Sequence, residues 1–135
     1  MIYFDTDVLI HLLITQDIDK HKQARALYQT ATDKEQFFIS LLCLQETAFV
    51  LHKLGQKQDD IEAMLDTFLT FSPVSYDIPE MKRGIALGKL IGFQNINDCI
   101  HTAIAEVHCT EMYTFNKADF KRIRKYTKLK ITILD

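Results

Sequence analysis

The sequence predicts an α/β protein, with a parallel β-sheet flanked by helices on both sides in a single compact domain over residues 1–135. Three observations predict it. Short runs of aromatic and β-branched residues alternate with stretches of helical periodicity, and parallel strands need crossovers of that kind. Polar residues follow those runs directly, as they do at the carboxyl ends of strands in open sheets. No internal repeat or low-complexity linker divides the chain, and 135 residues suffice for one substantial core.

The elements follow in order. "IYF" is a short buried strand ending in the polar turn "DTD". "VLIHLLI" then opens a helix, and "KHKQARALYQTA" reads as a second. "FFIS" is the next strand, and a helical pattern runs from Leu41 to Leu54, where Gly55 suits the C-terminal stop. Ile61, Met64, Leu65, Phe68 and Leu69 keep the spacing of an amphipathic helix. "PVSY" reads as a short strand, and "PEMKRGIALGKLIG" as a helix with Pro79 in its first turn. The following helix carries Ile96, Ile100, Ala103, Ile104 and Val107 on one face. "EMYTF" is a strand, "KADFKRIRK" a turn or two of helix, and "KITIL" the last strand.

Composition narrows the function classes. The first strand has no basic segment before it, and the longest apolar stretches are broken by His11 or Gln45, too short for a membrane span. Cys43, Cys99 and Cys109 lack CxxC spacing and are odd in number, which fits a reducing compartment rather than a disulfide framework. The expectation is a soluble, cytoplasmic domain. Zinc on Cys99, His101, His108 and Cys109 is disfavoured, because helical spacing points them in different directions. The net charge of −2 hides an uneven distribution: seven basic residues lie between Lys117 and Lys130 against one acid, Asp119. Such an end attracts phosphates or simply forms a solvated helix face.

The carboxylates carry the functional signal. Asp5 directly follows the first strand and belongs at the ligand-binding edge of the sheet, where it is either a turn residue or a ligand. Asp7, two residues on, is placed to cap the following helix. Glu46 rides among Leu42, Phe49 and Val50, with no lysine or arginine a turn away, a costly position unless something cationic meets it. Asp98 sits in the first turn of its helix, where the dipole favours it. Asp119 and Asn116 lie just beyond "EMYTF", with Asn116 starting a helix. Each has a local explanation, but together they point to one site. Two carboxylates about 4 Å apart repel by roughly 4 kcal/mol at an effective dielectric of 20, and a divalent cation removes the conflict. Oxygen-rich sites suit Mg²⁺ or Mn²⁺, and such ions serve phosphodiester hydrolysis.

Four segments, "YFDTDVLI", "ISLLCLQETAFVL", "INDCIHTAIAE" and "YTFNKADF", resemble in order and spacing the signature segments of the PIN-domain nucleases, most of all the VapC-type toxins of toxin–antitoxin pairs. The resemblance spans nearly the whole chain and implies a parallel sheet with flanking helices. It places the family's acidic set, catalytic and metal-binding, on Asp5, Glu46, Asp98 and Asp119. Its accessory polar positions fall on Asn116, Thr6 and Thr114. It implies Mg²⁺- or Mn²⁺-dependent cleavage of RNA, a homodimer, and a cognate antitoxin whose tail occupies the groove. Lys117, Lys121 and Arg122 are then the candidates for holding substrate phosphates. The family usually has asparagine where this chain has Asp7, which either caps the helix as asparagine would or adds a fifth charge near the metal.

Two other classes compete. "DTD" after a hydrophobic strand also resembles the haloacid-dehalogenase phosphatases, with Asp5 as nucleophile and Asp7 as acid/base. That family expects Thr or Val where this chain has Leu9, and a late Gly-Asp pair that does not occur here. A non-catalytic module, receiver-like or PIN-like, is the other. A receiver would use Asp77 as phosphoacceptor but lacks a convincing lysine further on, and an inactive PIN scaffold would have lost acids that are all present.

Overall fold

A computed structural model describes residues 1–135. Four parallel strands form one sheet in the order β2-β1-β3-β4, where β1 is Ile2–Phe4, β2 Phe37–Phe38, β3 Glu111–Thr114 and β4 Lys130–Ile133. Tyr3 pairs with Phe38 on one side and Met112 on the other, and Thr114 faces Ile133 across the far edge. Adjacent residues Tyr3 and Phe4 are both buried, as in a strand covered on both faces by helices. Seven helices supply the cover: α1 (Thr6–Leu13), α2 (Ile18–Asp33), α3 (Leu41–Lys53), α4 (Gln58–Leu69), α5 (Ile78–Ile91), α6 (Ile96–His108) and α7 (Lys117–Ile123). One apolar cluster unites them, running from Tyr3 and Phe4 through Leu87 and Ile104 to Phe120 and Ile131.

The helix starts are written locally. Ser40 accepts from the Cys43 amide and caps α3, and Asp17 accepts from the amides of Asp19 and Lys20 to cap α2. Asp77 and Glu80 form a reciprocal capping box ahead of α5, with Pro79 in its first turn. Gly55, at φ 79°, takes the left-handed conformation just past α3 that a side chain would resist.

Three expectations are corrected. "PVSY" forms no strand: only Val74 bridges to Ser40, because Pro73 has no amide to contribute to a ladder. Val107 is exposed, whereas every residue from 99 to 105 is buried, so α6 is enclosed nearly all round rather than along one stripe. Asp7 does not cap α1. That helix starts at Thr6, and Asp5 is its cap, accepting from the Thr6 amide.

The topology decides where a ligand fits. Chain leaving β1 goes to β2 on one side, while β3 lies on the other, so the strand order reverses between β1 and β3. A crevice opens there at the carboxyl ends of the strands. Asp5 lies at that point, its amide bonded to the Tyr113 carbonyl.

Candidate active site

A cleft of about 750 Å³ opens at this position, and Asp5, Asp7, Glu46, Asp98, Thr6 and Asn116 line it. Four separate regions of the chain deliver them: the β1–α1 junction, α3, the first turn of α6 and the β3–α7 loop.

Asp5 is the deepest, only 5% exposed. Its two oxygens are both engaged, one by the Thr6 amide at 2.8 Å and the other by the Thr114 hydroxyl at 2.7 Å. Burial pushes its carboxyl pKa up and the Glu46 charge adds to the rise, while His101, Thr114 and Thr6 hold it back. Asp7 turns toward the opposite loop, accepting the Phe115 amide at 3.2 Å and, weakly, the Thr114 hydroxyl. It ties the start of α1 to the chain after β3. Burial and then the charge of Asp5 raise it to about 7.

Glu46 meets its donor partner through tertiary contact. His101 Nε2 lies 2.5 Å from Oε1, and the Thr6 hydroxyl donates to the same oxygen at 2.8 Å. Burial alone would raise the Glu46 carboxyl, but these bonds outweigh it and hold its pKa below the usual value. Asp98 is the opposite case. No amide or hydroxyl donates to its carboxylate; burial, then the charge of Asp5, then a side-chain hydrogen bond with Asp119 push it to about 8, against the pull of His101. Asp119 meets the Asp98 side chain from outside the cleft lining, where Asn116 donates to it at 2.9 Å and accepts its backbone amide at 3.2 Å. Asn116 thus caps α7 and steadies an acid at once.

The site therefore gathers the sequence-derived acids, with Asp119 reaching it through Asp98 rather than through the cleft lining. Thr6, Thr114 and Asn116 all bond to them. Of the basic candidates, Lys117 and Lys121 are exposed on α7, while Arg122 is drawn inward and donates to the Ile91 carbonyl. The residues missed in the sequence are His101 and Tyr3. His101 is 1% exposed and bridges Tyr3 and Glu46. Its signal was present in "DCIHTAIA", a histidine one helical turn after Asp98 and within a run of small and apolar residues.

The donor chemistry fits a hard divalent cation. The acids offer only oxygens, although His11, whose buried Nδ1 has no partner, also lines the cleft; Asp98, raised to about 8, is an acid that a cation would ionise. No three His, Cys, Asp or Glu side chains close on one point as a preformed cage, the Cys99, His101, His108 and Cys109 set included. The fit therefore rests on the oxygen chemistry of the acids alone; Mg²⁺ keeps several waters and binds through one or two carboxylates.

A family model described as PIN domain matches residues 2–126. No curated protein matches the chain in sequence. Among solved structures, the chain is similar to one in the crystal structure of VapBC2 from Rickettsia felis bound to a DNA fragment from their promoter. The two are 18% identical, with a TM-score of 0.69 and 100% of each chain covered. At that identity the likeness is one of fold.

Proposed function

Since the chain belongs to the PIN-domain family, we propose that it is a divalent-metal-dependent endoribonuclease, acting as the toxin of a toxin–antitoxin pair. The observation that carries this reading is the meeting of Asp5, Glu46 and Asp98 in one cleft at the reversal of strand order. Acids gathered from three distant segments, with Asp98 held protonated near neutral pH by burial and its neighbours, would ionise together only beside a cation that offsets their repulsion.

Asp5, Asp98 and Glu46 would hold Mg²⁺ or Mn²⁺, with Asp119 aligned behind them through Asn116. When bound, the ion supplies Lewis acidity that activates water and stabilises charge on the leaving oxygen. The chain's own residues then have separate tasks. Thr114 and the Thr6 amide fix both oxygens of Asp5. Lys117 and Lys121, exposed on α7 beside the cleft residue Asn116, attract the RNA backbone. Asp7 steadies the β3–α7 loop, the work an asparagine at this position would also do.

A homodimer and an antitoxin partner are part of the reading. They are supported by large apolar side chains left in solvent, among them Phe49 in the cleft, Ile78 and Val107. Cytoplasmic action agrees with three cysteines that are all free, and no helix is long and apolar enough to cross a membrane. The phosphatase alternative is disfavoured because Asp7 bonds across to Phe115 instead of standing free as an acid/base beside Asp5.

The test is to incubate purified protein with cellular RNA and Mn²⁺ and to sequence the new ends, with Asp5→Asn as control. Metal-dependent ends that vanish in the variant support the assignment. Equal cleavage by both proteins would sink it. Expression should be toxic for the parent and harmless for Asp5→Asn; an RNA-maturation enzyme would be harmless in both forms.

A further inference from the structure

We propose that His101 is a positioning residue for Glu46: with Thr6 it pins one carboxylate oxygen, so that the other alone is presented to the cleft. The proposal rests on the reading of Glu46 as a metal ligand. Both donors, Nε2 of His101 at 2.5 Å and the Thr6 hydroxyl at 2.8 Å, land on Oε1. The protein gives Oε2 no hydrogen bond, and Glu46 lines the cleft. A carboxylate can only accept, so Nε2 carries its hydrogen whatever the state of Nδ1.

The far side of the ring is held as firmly. Nδ1 lies 2.5 Å from the Tyr3 hydroxyl, which lies 2.8 Å from the Ser40 hydroxyl, and Ser40 accepts the Cys43 amide at 3.0 Å. Tyr3, Ser40, Cys43 and His101 are all at most 1% exposed. The chain of bonds starts at the cap of α3 and returns to α3 at Glu46, passing through β1 and α6 on the way. It sets the rotation of the Glu46 side chain against the two elements that carry Asp5 and Asp98. A histidine serving the core alone would need its nitrogens satisfied, but its acceptor would not have to be the one carboxylate on α3 that enters the cleft. Partners of this kind, one layer behind a ligand, typically govern metal affinity by 10- to 100-fold.

Two near-isosteric variants separate positioning from packing. The amide of His101→Gln reaches the place of Nε2 and can still donate to Glu46. The amide of His101→Asn reaches only the place of Nδ1, so it keeps Tyr3 and loses Glu46. Mn²⁺ is titrated into parent and variants, each checked for native circular dichroism, with the free ion followed by electron paramagnetic resonance. His101→Asn should bind Mn²⁺ about 10- to 100-fold more weakly than the parent, and His101→Gln should recover most of that loss. In a Glu46→Ala background, where there is no carboxylate to position, the two variants should bind alike. Equal affinities for His101→Asn, His101→Gln and the parent would overturn the proposal, as would an undiminished difference without Glu46. A parent that binds no Mn²⁺ would instead overturn the metal reading itself, and this proposal with it.

Discussion

Asp98 is the residue whose state the fold alters most legibly. Its carboxyl is raised to about 8 by burial first and then by the charges of Asp5 and Asp119. A carboxyl raised on folding binds its proton more tightly in the native state, so its contribution to stability falls as pH rises from about 4 to about 8. Asp7, raised to about 7, acts in the same direction over the lower part of that window. Metal-free protein should therefore melt lower at pH 8 than at pH 6. Asp98→Asn should remove most of that difference and raise the pH 8 melting temperature. A gain of about 1 kcal/mol would appear as about 4 °C in a domain of this size. Thermal melts at the two pH values check it, and a variant that melts lower at pH 8 would contradict the charge-repulsion account. The same substitution should abolish cleavage. Asp7→Asn should not: asparagine can still accept the Phe115 amide, so activity within a few-fold of the parent is expected in the RNA assay.

At the scale of elements, α3 and α6 carry the site and depend on close local fits. Ser40 caps α3 and is also the partner of the Tyr3 hydroxyl, so Ser40→Ala should cost about 1–2 kcal/mol in urea unfolding. α5 packs closely on α6 through Gly84, where an added Cβ would stand 3.0 Å from Ile100 Cγ1. Gly84→Val should push α6 outward, destabilise by about 1–3 kcal/mol and weaken metal binding, since α6 holds both Asp98 and His101. Unchanged Mn²⁺ affinity in that variant would show that the α5–α6 spacing does not govern the site. Most element identities were legible because start and stop signals, like periodicity, are local: Pro79, Gly55 and the amphipathic spacing of α4 all announce themselves. "PVSY" misled because β-propensity does not count amides: Pro73 has none to add to a ladder, and Val74 alone bridges Ser40 just past β2. Val107 misled because a helix buried nearly all round has no stripe for the periodicity to reveal.

For the whole molecule, the proposed metal site would make stability and metal binding one equilibrium. A cation that binds only the native site stabilises it by about 2.7 kcal/mol at a hundred times its dissociation constant. Mn²⁺ should raise the melting temperature in a concentration-dependent way, and EDTA should reverse it. The rise should vanish in Asp5→Asn. A melting temperature indifferent to Mn²⁺ would count against the metal centre.

The sequence by itself determined the alternation of strands and helices, the start of α5 around Pro79 and of α7 at Asn116, and the placing of Asp5, Asp98 and Asp119 at element boundaries. These are matters of spacing within a few residues, and the chain writes them directly. It also marked Glu46 as a carboxylate in need of a partner. Only the tertiary structure decided who that partner is. His101 lies 55 positions away, and its local signal, a histidine one turn after Asp98, does not say which side chain it meets. Tertiary contact likewise took the cap of α1 from Asp7 and gave it to Asp5. Asp5 caps α1 while facing the other acids, and Asp7 reaches across to Phe115, because the pairing of β1 with β3 brings the two loops together. Local spacing governs where a carboxylate sits; packing across the sheet governs what it can hold.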